Sequence, residues 1–307
     1  MARTDDDSWD ITESVGATAL GVAMARAAET ASRRPLFVDH YAQWFIDAAV
    51  ARGWESPFGT EAEPVAQVQQ RVKTIWAYAA ARTKHFDDFF IAAGSAGIRQ
   101  VVILAAGLDA RAWRLPWIAE TVVYEIDQPK VLEFKSETLR AHGAKAVARD
   151  IAIPIDLRQD WPTALRAAGF DASEPTAWLA EGLLPYLPAD AQDLLFERIQ
   201  RLSAPDSRLA VEAFGSDYFD EEYQQRRRAA MQEMRDAVSR TGHDIGDVTD
   251  LFYNEPRADV ADWLAEHGWE VDSIGAAELL SRHKRDRVSQ MQANRSVFVE
   301  ARRLAGP

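Results

Sequence analysis

The residues best suited to chemistry are small or acidic ones that follow short apolar runs: Gly107 after Val101 to Leu104, Glu125 and Asp127 after Val122 and Val123, Asp156 beside Leu157, and Glu181 before Gly182. A carboxylate at the end of a strand can accept hydrogen bonds from ribose hydroxyls. Asp127 is the first candidate for that role and Glu125 the second. A carboxylate next to an apolar side chain suits an adenine, the acid accepting from its amino group and the apolar group covering the ring. Asp156 and Leu157 fit that description, with capping of the helix near Trp161 as the competing use of Asp156. Glu181 could hold a cationic amino group or shape the site, and Gly182 permits close approach.

The stretch Val101 to Arg111 reads as a buried strand, a turn of small residues and a helix start. In open α/β sheets, ligands bind beyond the carboxyl ends of the strands, beside such turns. A dinucleotide fingerprint needs G-x-G-x-x-G to bring backbone against a pyrophosphate, and only Gly107 is present. That counts against the rival reading, an NAD(P)-dependent oxidoreductase. S-adenosylmethionine has no phosphates and asks less of the turn. A serine hydrolase elbow is a poor fit, because Ala93-Gly94-Ser95-Ala96-Gly97 lacks the first glycine of the motif and precedes its strand. The sequence contains no cysteine, no H-E-x-x-H and no calcium-loop spacing, so no metal site is expected. His85, His243 or a nearby acid could be proposed as the base for a hydroxyl acceptor, but neither histidine lies in a motif, and no catalytic residue is assigned.

These residues need a sheet to position them. Seven strands are expected at Gln100 to Ala105, Thr121 to Ile126, Lys145 to Arg149, Ala177 to Ala180, Arg208 to Phe214, Trp269 to Ile274 and Ser296 to Ala301. Helices fill the gaps at Ala110 to Trp117, Pro129 to His142, Trp161 to Gly169, Ala189 to Ser203, Tyr218 to Thr241 and Arg257 to His267. The last two strands, joined by a loop-like stretch from Ala276 to Gln292, suit an antiparallel pair at the edge. From Ser14 to Phe90, alanine-rich sequence broken at Arg33-Arg34-Pro35 and Gly53 to Gly59 predicts several helices. In one of them, Val72 to Phe90, Ile75, Ala79, Phe86 and Phe90 share a face. We expect a single domain over 1–307, with a helical N-terminal segment (1–93), an α/β core (94–307) and a helical lid insertion near 216–258.

With 47% hydrophobic and 27% charged residues the composition is that of a folded globular chain. A net charge of −13 repels nucleic acid and anionic lipid, so neither is an expected partner. No apolar run approaches the roughly 20 residues of a membrane helix. The acidic start, with Asp5-Asp6-Asp7, does not resemble an export signal, and a cytoplasmic location is expected.

Taken in order, the motifs resemble the leucine carboxyl methyltransferase-like group, and within it the bacterial, chiefly actinobacterial, S-adenosylmethionine-dependent methyltransferases. The resemblance rests on Tyr78-x-x-x-Arg82-Thr83-x-x-x-Asp87, A-A-G-L-D-A-R at Ala105 to Arg111, E-I-D-Q-P at Glu125 to Pro129, D-L-R at Asp156 to Arg158, and A-E-G-L-L-P-Y-L at Ala180 to Leu187. It implies a class I, Rossmann-like methyltransferase fold: a seven-stranded, mostly parallel sheet in the order 3-2-1-4-5-7-6 with helices on both faces. It also implies that Asp127 and the Asp156-Leu157 pair bind S-adenosylmethionine and that Arg82 pairs with the methionyl carboxylate. Ala105-Ala106 departs from the further glycines of many methyltransferases. By analogy the acceptor is a carboxylate or hydroxyl on an unidentified small molecule or peptide, with a noncatalytic S-adenosylmethionine-binding protein as the alternative.

Overall fold

The computed structural model describes residues 11, 14–55, 66–215, 217–239, 251–285 and 295–306 of the chain. Its centre is a seven-stranded sheet in the order β3-β2-β1-β4-β5-β7-β6. The strands are β1 (Gln100–Leu104), β2 (Val122–Asp127), β3 (Arg149–Pro154), β4 (Thr176–Ala180), β5 (Arg208–Phe214), β6 (Trp269–Gly275) and β7 (Ser296–Arg303). The first five run parallel, while β7 is antiparallel to both β5 and β6. The topology is the one the resemblance implies.

Central strands are covered on both faces, which is why β1 and β4 read as continuous apolar runs. Val102 and Leu104 of β1 join Trp178, Trp161 and Phe196 in one core, under α6 (Trp161–Ala167), α7 (Ala189–Leu202) and α9 (Val260–Glu266). The alternate residues Val101 and Ile103 pack with Phe86, Phe90 and Phe298 on the other face. That face is covered by α3 (Ala66–Ser95), the short α4 (Arg111–Arg114) and α10 (Ala276–Arg282). A third cluster joins Leu20 of α1 (Ser14–Thr30), Phe45 of α2 (Tyr41–Ala51) and Phe134 of α5 (Pro129–Ala141). Between β5 and α9 runs α8 (Glu221–Ser239), within the stretch expected to form a lid. No described helix is long and apolar enough to cross a membrane.

Four local expectations need correction. The third strand is not Lys145 to Arg149 but Arg149–Pro154, on the sheet edge. Val147 is 57% exposed, and of β3 only Ile153 is fully buried, so the apolar signal that marks inner strands is nearly absent here. The stretch after β6 is not all loop, because Ala276, Leu279 and Leu280 of α10 are buried on one face. The helix expected at Ala110 to Trp117 contracts to α4, four residues. Ile75 is 49% exposed and does not share the buried face of Ala79, Phe86 and Phe90. Asp5-Asp6-Asp7, His243 and most of the Gly53 to Gly59 break lie outside the described residues.

Candidate active site

Beyond the carboxyl ends of β1, β2 and β4 lies a cavity of about 250 Å³. Its floor is the turn after β1. Ala105 and Gly107 both take left-handed backbone conformations, with φ of 52° and 51°. For alanine this costs on the order of 1 kcal/mol, so the turn keeps its shape although it has one glycine where others have more. A Cβ on Gly107 would lie 3.6 Å from the Ala19 side chain of α1, inside the cavity wall.

Asp127 ends β2 beside this turn. Its Oδ2 accepts the Gly107 N–H at 2.6 Å and its Oδ1 the Gln128 N–H at 2.6 Å. Each oxygen retains a second lone pair, as binding a diol requires. Burial pushes this carboxyl above its ordinary pKa even though both N–H groups favour the ionised form.

Asp156, Leu157 and Arg158 line the wall beyond β3. Asp156 does not cap α6; that role falls to Asp160, which accepts from the Thr163 N–H. Instead Asp156 Oδ1 accepts from Arg158 N at 2.8 Å and Nε at 2.9 Å, and Oδ2 from Arg158 Nη2 at 2.7 Å and Gln128 Nε2 at 2.8 Å. Four donors fill the roughly four acceptor positions of a carboxylate. Burial raises the Asp156 pKa, but the Arg158 hydrogen bonds and charge bring it below the ordinary value.

The opposite wall carries Arg82, from α3, and Glu181, after β4. Arg82 Nε lies 2.8 Å from Glu181 Oε1, and Nη1 donates to Glu212 Oε2 at 2.9 Å. Its Nη2 makes no hydrogen bond to the described residues. Glu181 also accepts from Arg111 Nη1 at 2.8 Å. Burial works against its charge, yet Arg111 and Arg82 hold its pKa below the ordinary value. Arg111, 2% exposed, further binds Asp109 and Asp87. Glu212 accepts the Gly182 N–H at 2.9 Å and the Tyr78 hydroxyl. The N-terminal helix closes the top: Thr18, Ala19, Val22 and Arg26 line the cavity, and the Tyr186 hydroxyl reaches Thr18 Oγ1 at 3.3 Å.

Six of the seven candidate cofactor residues therefore meet at one cavity: Gly107, Asp127, Asp156, Leu157, Arg82 and Glu181. Glu125 does not. It sits two residues deeper in β2 under α5, 1% exposed, with its Oε2 2.6 Å from Lys135 Nζ. His85 also lies away from the cavity, against Phe298 and 3.3 Å from Glu300. Sequence reasoning missed Glu212 and the links of Asp87, Asp109 and Arg111. The one available signal for Glu212 was an acid inside the apolar run Leu209 to Phe214.

Residues 19–200 match the family model described as leucine carboxyl methyltransferase. The chain belongs to this family. A relative from Mycolicibacterium paratuberculosis, named for S-adenosyl-L-methionine-dependent methyl transfer, is 56% identical over 294 residues, covering 93% of this chain and 91% of its own. A Mycobacterium tuberculosis relative of the same name is 55% identical over 295 residues, with 93% of each covered. Among solved structures, a DUF574 family protein from Streptomyces avermitilis overlaps with a TM-score of 0.49 at 15% identity, covering 92% of this chain and 96% of its own. This leucine carboxyl methyltransferase family member is an S-adenosylmethionine-dependent methyltransferase, and S-adenosylmethionine is its cofactor. The cavity suits that molecule: Asp127 has free acceptor positions, Leu157 and Ile155 supply apolar wall, and Arg82 Nη2 is open to a carboxylate.

Proposed function

We propose that this methyltransferase O-methylates a carboxylate carried by a small molecule or a peptide, and that it does so without a general base. One observation carries this reading. The acids on the cavity wall beside Arg82 are engaged by guanidiniums, and both Glu181 and Asp109 have pKa values below their ordinary range, which makes them weak bases. Among the described residues, those lining the cavity include no histidine or lysine. An acceptor carboxylate is already ionised and nucleophilic at neutral pH, whereas a phenol or alcohol must lose a proton.

S-adenosylmethionine supplies an electrophilic methyl group on a sulfonium, to be taken by in-line displacement. The chain contributes alignment and exclusion of water. Asp127 accepts from the ribose hydroxyls. Leu157 covers the adenine, whose amino group is read by Asp156 once Arg158 yields an acceptor position. Arg82 Nη2 pairs with the methionyl carboxylate, and Glu181 fixes the orientation of Arg82 and faces the methionyl amino group. Gly182 leaves room for the acceptor to approach, while α1 and the Leu184–Tyr186 turn shut out solvent.

The test is transfer of radiolabelled methyl to matched acceptors: peptides with free and with amidated C-termini, small carboxylic acids, and phenols. Label on free carboxylates that is released as methanol by mild base is the expected result. Base-stable label on phenols alone would overturn the proposal.

A further inference from the structure

The charges behind the cavity wall form one connected network. Glu212 meets Arg82 at 2.9 Å, Arg82 meets Glu181 at 2.8 Å, and Glu181 meets Arg111 at 2.8 Å. Arg111 then branches to Asp109 and to Asp87, the latter at 2.8 Å. Asp87 holds Arg114 at 2.5 Å, which approaches Asp39 at 3.8 Å, and Asp39 pairs with Arg26 at 3.2 Å. Five acids thus share four arginines, and both Glu181 and Asp109 stay ionised because the arginines outweigh their burial. By formal count the network holds one carboxylate more than it holds guanidiniums. Glu212 is a terminal acid of this network, joined to a single guanidinium that it shares with Glu181. It reaches the wall through backbone: its Oε2 accepts the N–H of Gly182, which lines the cavity.

We propose that Glu212 is a specificity-determining residue, whose carboxylate at the end of this network favours the cationic cofactor over the demethylated product, neutral at sulfur, and so helps the product leave. The proposal rests on the reading above that the methionyl end lies at Arg82. S-adenosylmethionine and S-adenosylhomocysteine share every other group and differ by one methyl and one positive charge. A nearby carboxylate therefore acts on their difference, while an effect on Arg82 orientation acts on both alike. Across a few ångströms at an effective dielectric between that of protein and water, one charge is worth a factor of about 3 to 10.

The experiment is calorimetric titration of wild type, Glu212→Gln and Arg82→Lys with both ligands. Glutamine keeps the shape and an acceptor for the Gly182 N–H. The expected result is that Glu212→Gln weakens S-adenosylmethionine about threefold to tenfold more than S-adenosylhomocysteine. Equal weakening of both, or no change, would overturn the proposal. If Arg82→Lys leaves both affinities at wild-type values, the methionyl end is not at Arg82, and the functional reading fails with this one. If it weakens both equally, that reading stands and Glu212→Gln alone decides. Should Glu212→Gln not fold, wild type is titrated with sinefungin, in which a protonated amine replaces the sulfonium. Sinefungin and S-adenosylmethionine both binding more tightly than S-adenosylhomocysteine supports the proposal, and any other order overturns it.

Discussion

Asp127 and Gly107 are joined by a hydrogen bond of 2.6 Å between the carboxylate ending β2 and the backbone of the turn after β1. The same side chain thus shapes the turn and presents acceptors to the cavity. Asp127→Asn keeps the size but removes the charge and one acceptor oxygen, and a hydrogen bond to a charged group is worth about 1.5–3 kcal/mol. Affinity for S-adenosylhomocysteine should fall at least about tenfold by calorimetry. Unchanged affinity would mean that the ribose is held elsewhere.

Asp156 has its acceptor positions filled by Arg158 and Gln128. If Asp156 reads adenine, Arg158 competes with the ligand, and Arg158→Ala should tighten S-adenosylhomocysteine binding. One recovered hydrogen bond of about 1 kcal/mol corresponds to roughly a fivefold gain. A loss of affinity would instead place the guanidinium among the ligand contacts.

Gly215 leads out of β5 with its N–H on the Arg295 carbonyl at 2.7 Å. A Cβ there would lie 2.7 Å from that same carbonyl oxygen and 3.3 Å from Asp217 Oδ1. Since backbone must move, Gly215→Ala should destabilise by about 1–3 kcal/mol in urea denaturation. Gly275→Ala, where nothing lies within 4 Å, is the matched control, and should stay within about 0.5 kcal/mol of wild type.

Glu125 gives a pH dependence of stability. Burial pushes its carboxyl up to about 8 from an ordinary 4.5, with Lys135 pulling only partly back. Between those two values the folded chain binds a proton that the unfolded chain has released. This group's contribution to stability therefore declines as pH rises from about 4.5 to about 8 and is constant above. Glu125→Gln does not titrate, so the stability of wild type relative to the variant should drop between pH 5 and pH 8 in denaturation curves. A constant difference would show that Glu125 is ionised throughout, held by Lys135.

The strand order and most of the cavity were legible because they rest on local patterns. β1 and β4 are apolar beyond their first residues, Gln100 and Thr176, and Asp127 ends its strand while Gly107 and Glu181 follow theirs within three residues. β3 was misplaced because an edge strand needs few apolar residues, and Lys145 to Arg149 resembles a strand at least as well as Arg149–Pro154 does. Glu125 and Asp127 look alike in sequence. What separates them is depth: two residues along a strand, about 6–7 Å, puts one under α5 and the other at the rim. Glu212 acquires its meaning only from Tyr78 and Arg82, more than a hundred residues away, and no spacing rule reaches that far.

Helix α3 runs for thirty residues, about 45 Å at 1.5 Å per residue. Along it lie Tyr78 and Arg82, which meet the ends of β4 and β5, and Asp87, which holds Arg111 and Arg114. The sheet is therefore not a self-contained module to which the preceding helices were appended. A fragment beginning after Ser95 would keep all seven strands yet lose Arg82 and leave Glu181, Glu212 and Arg111 each short of a partner. Chimeras that graft this sheet onto another leader must carry α3 with it, so that recombination respects a boundary before the helix rather than the apparent one before β1.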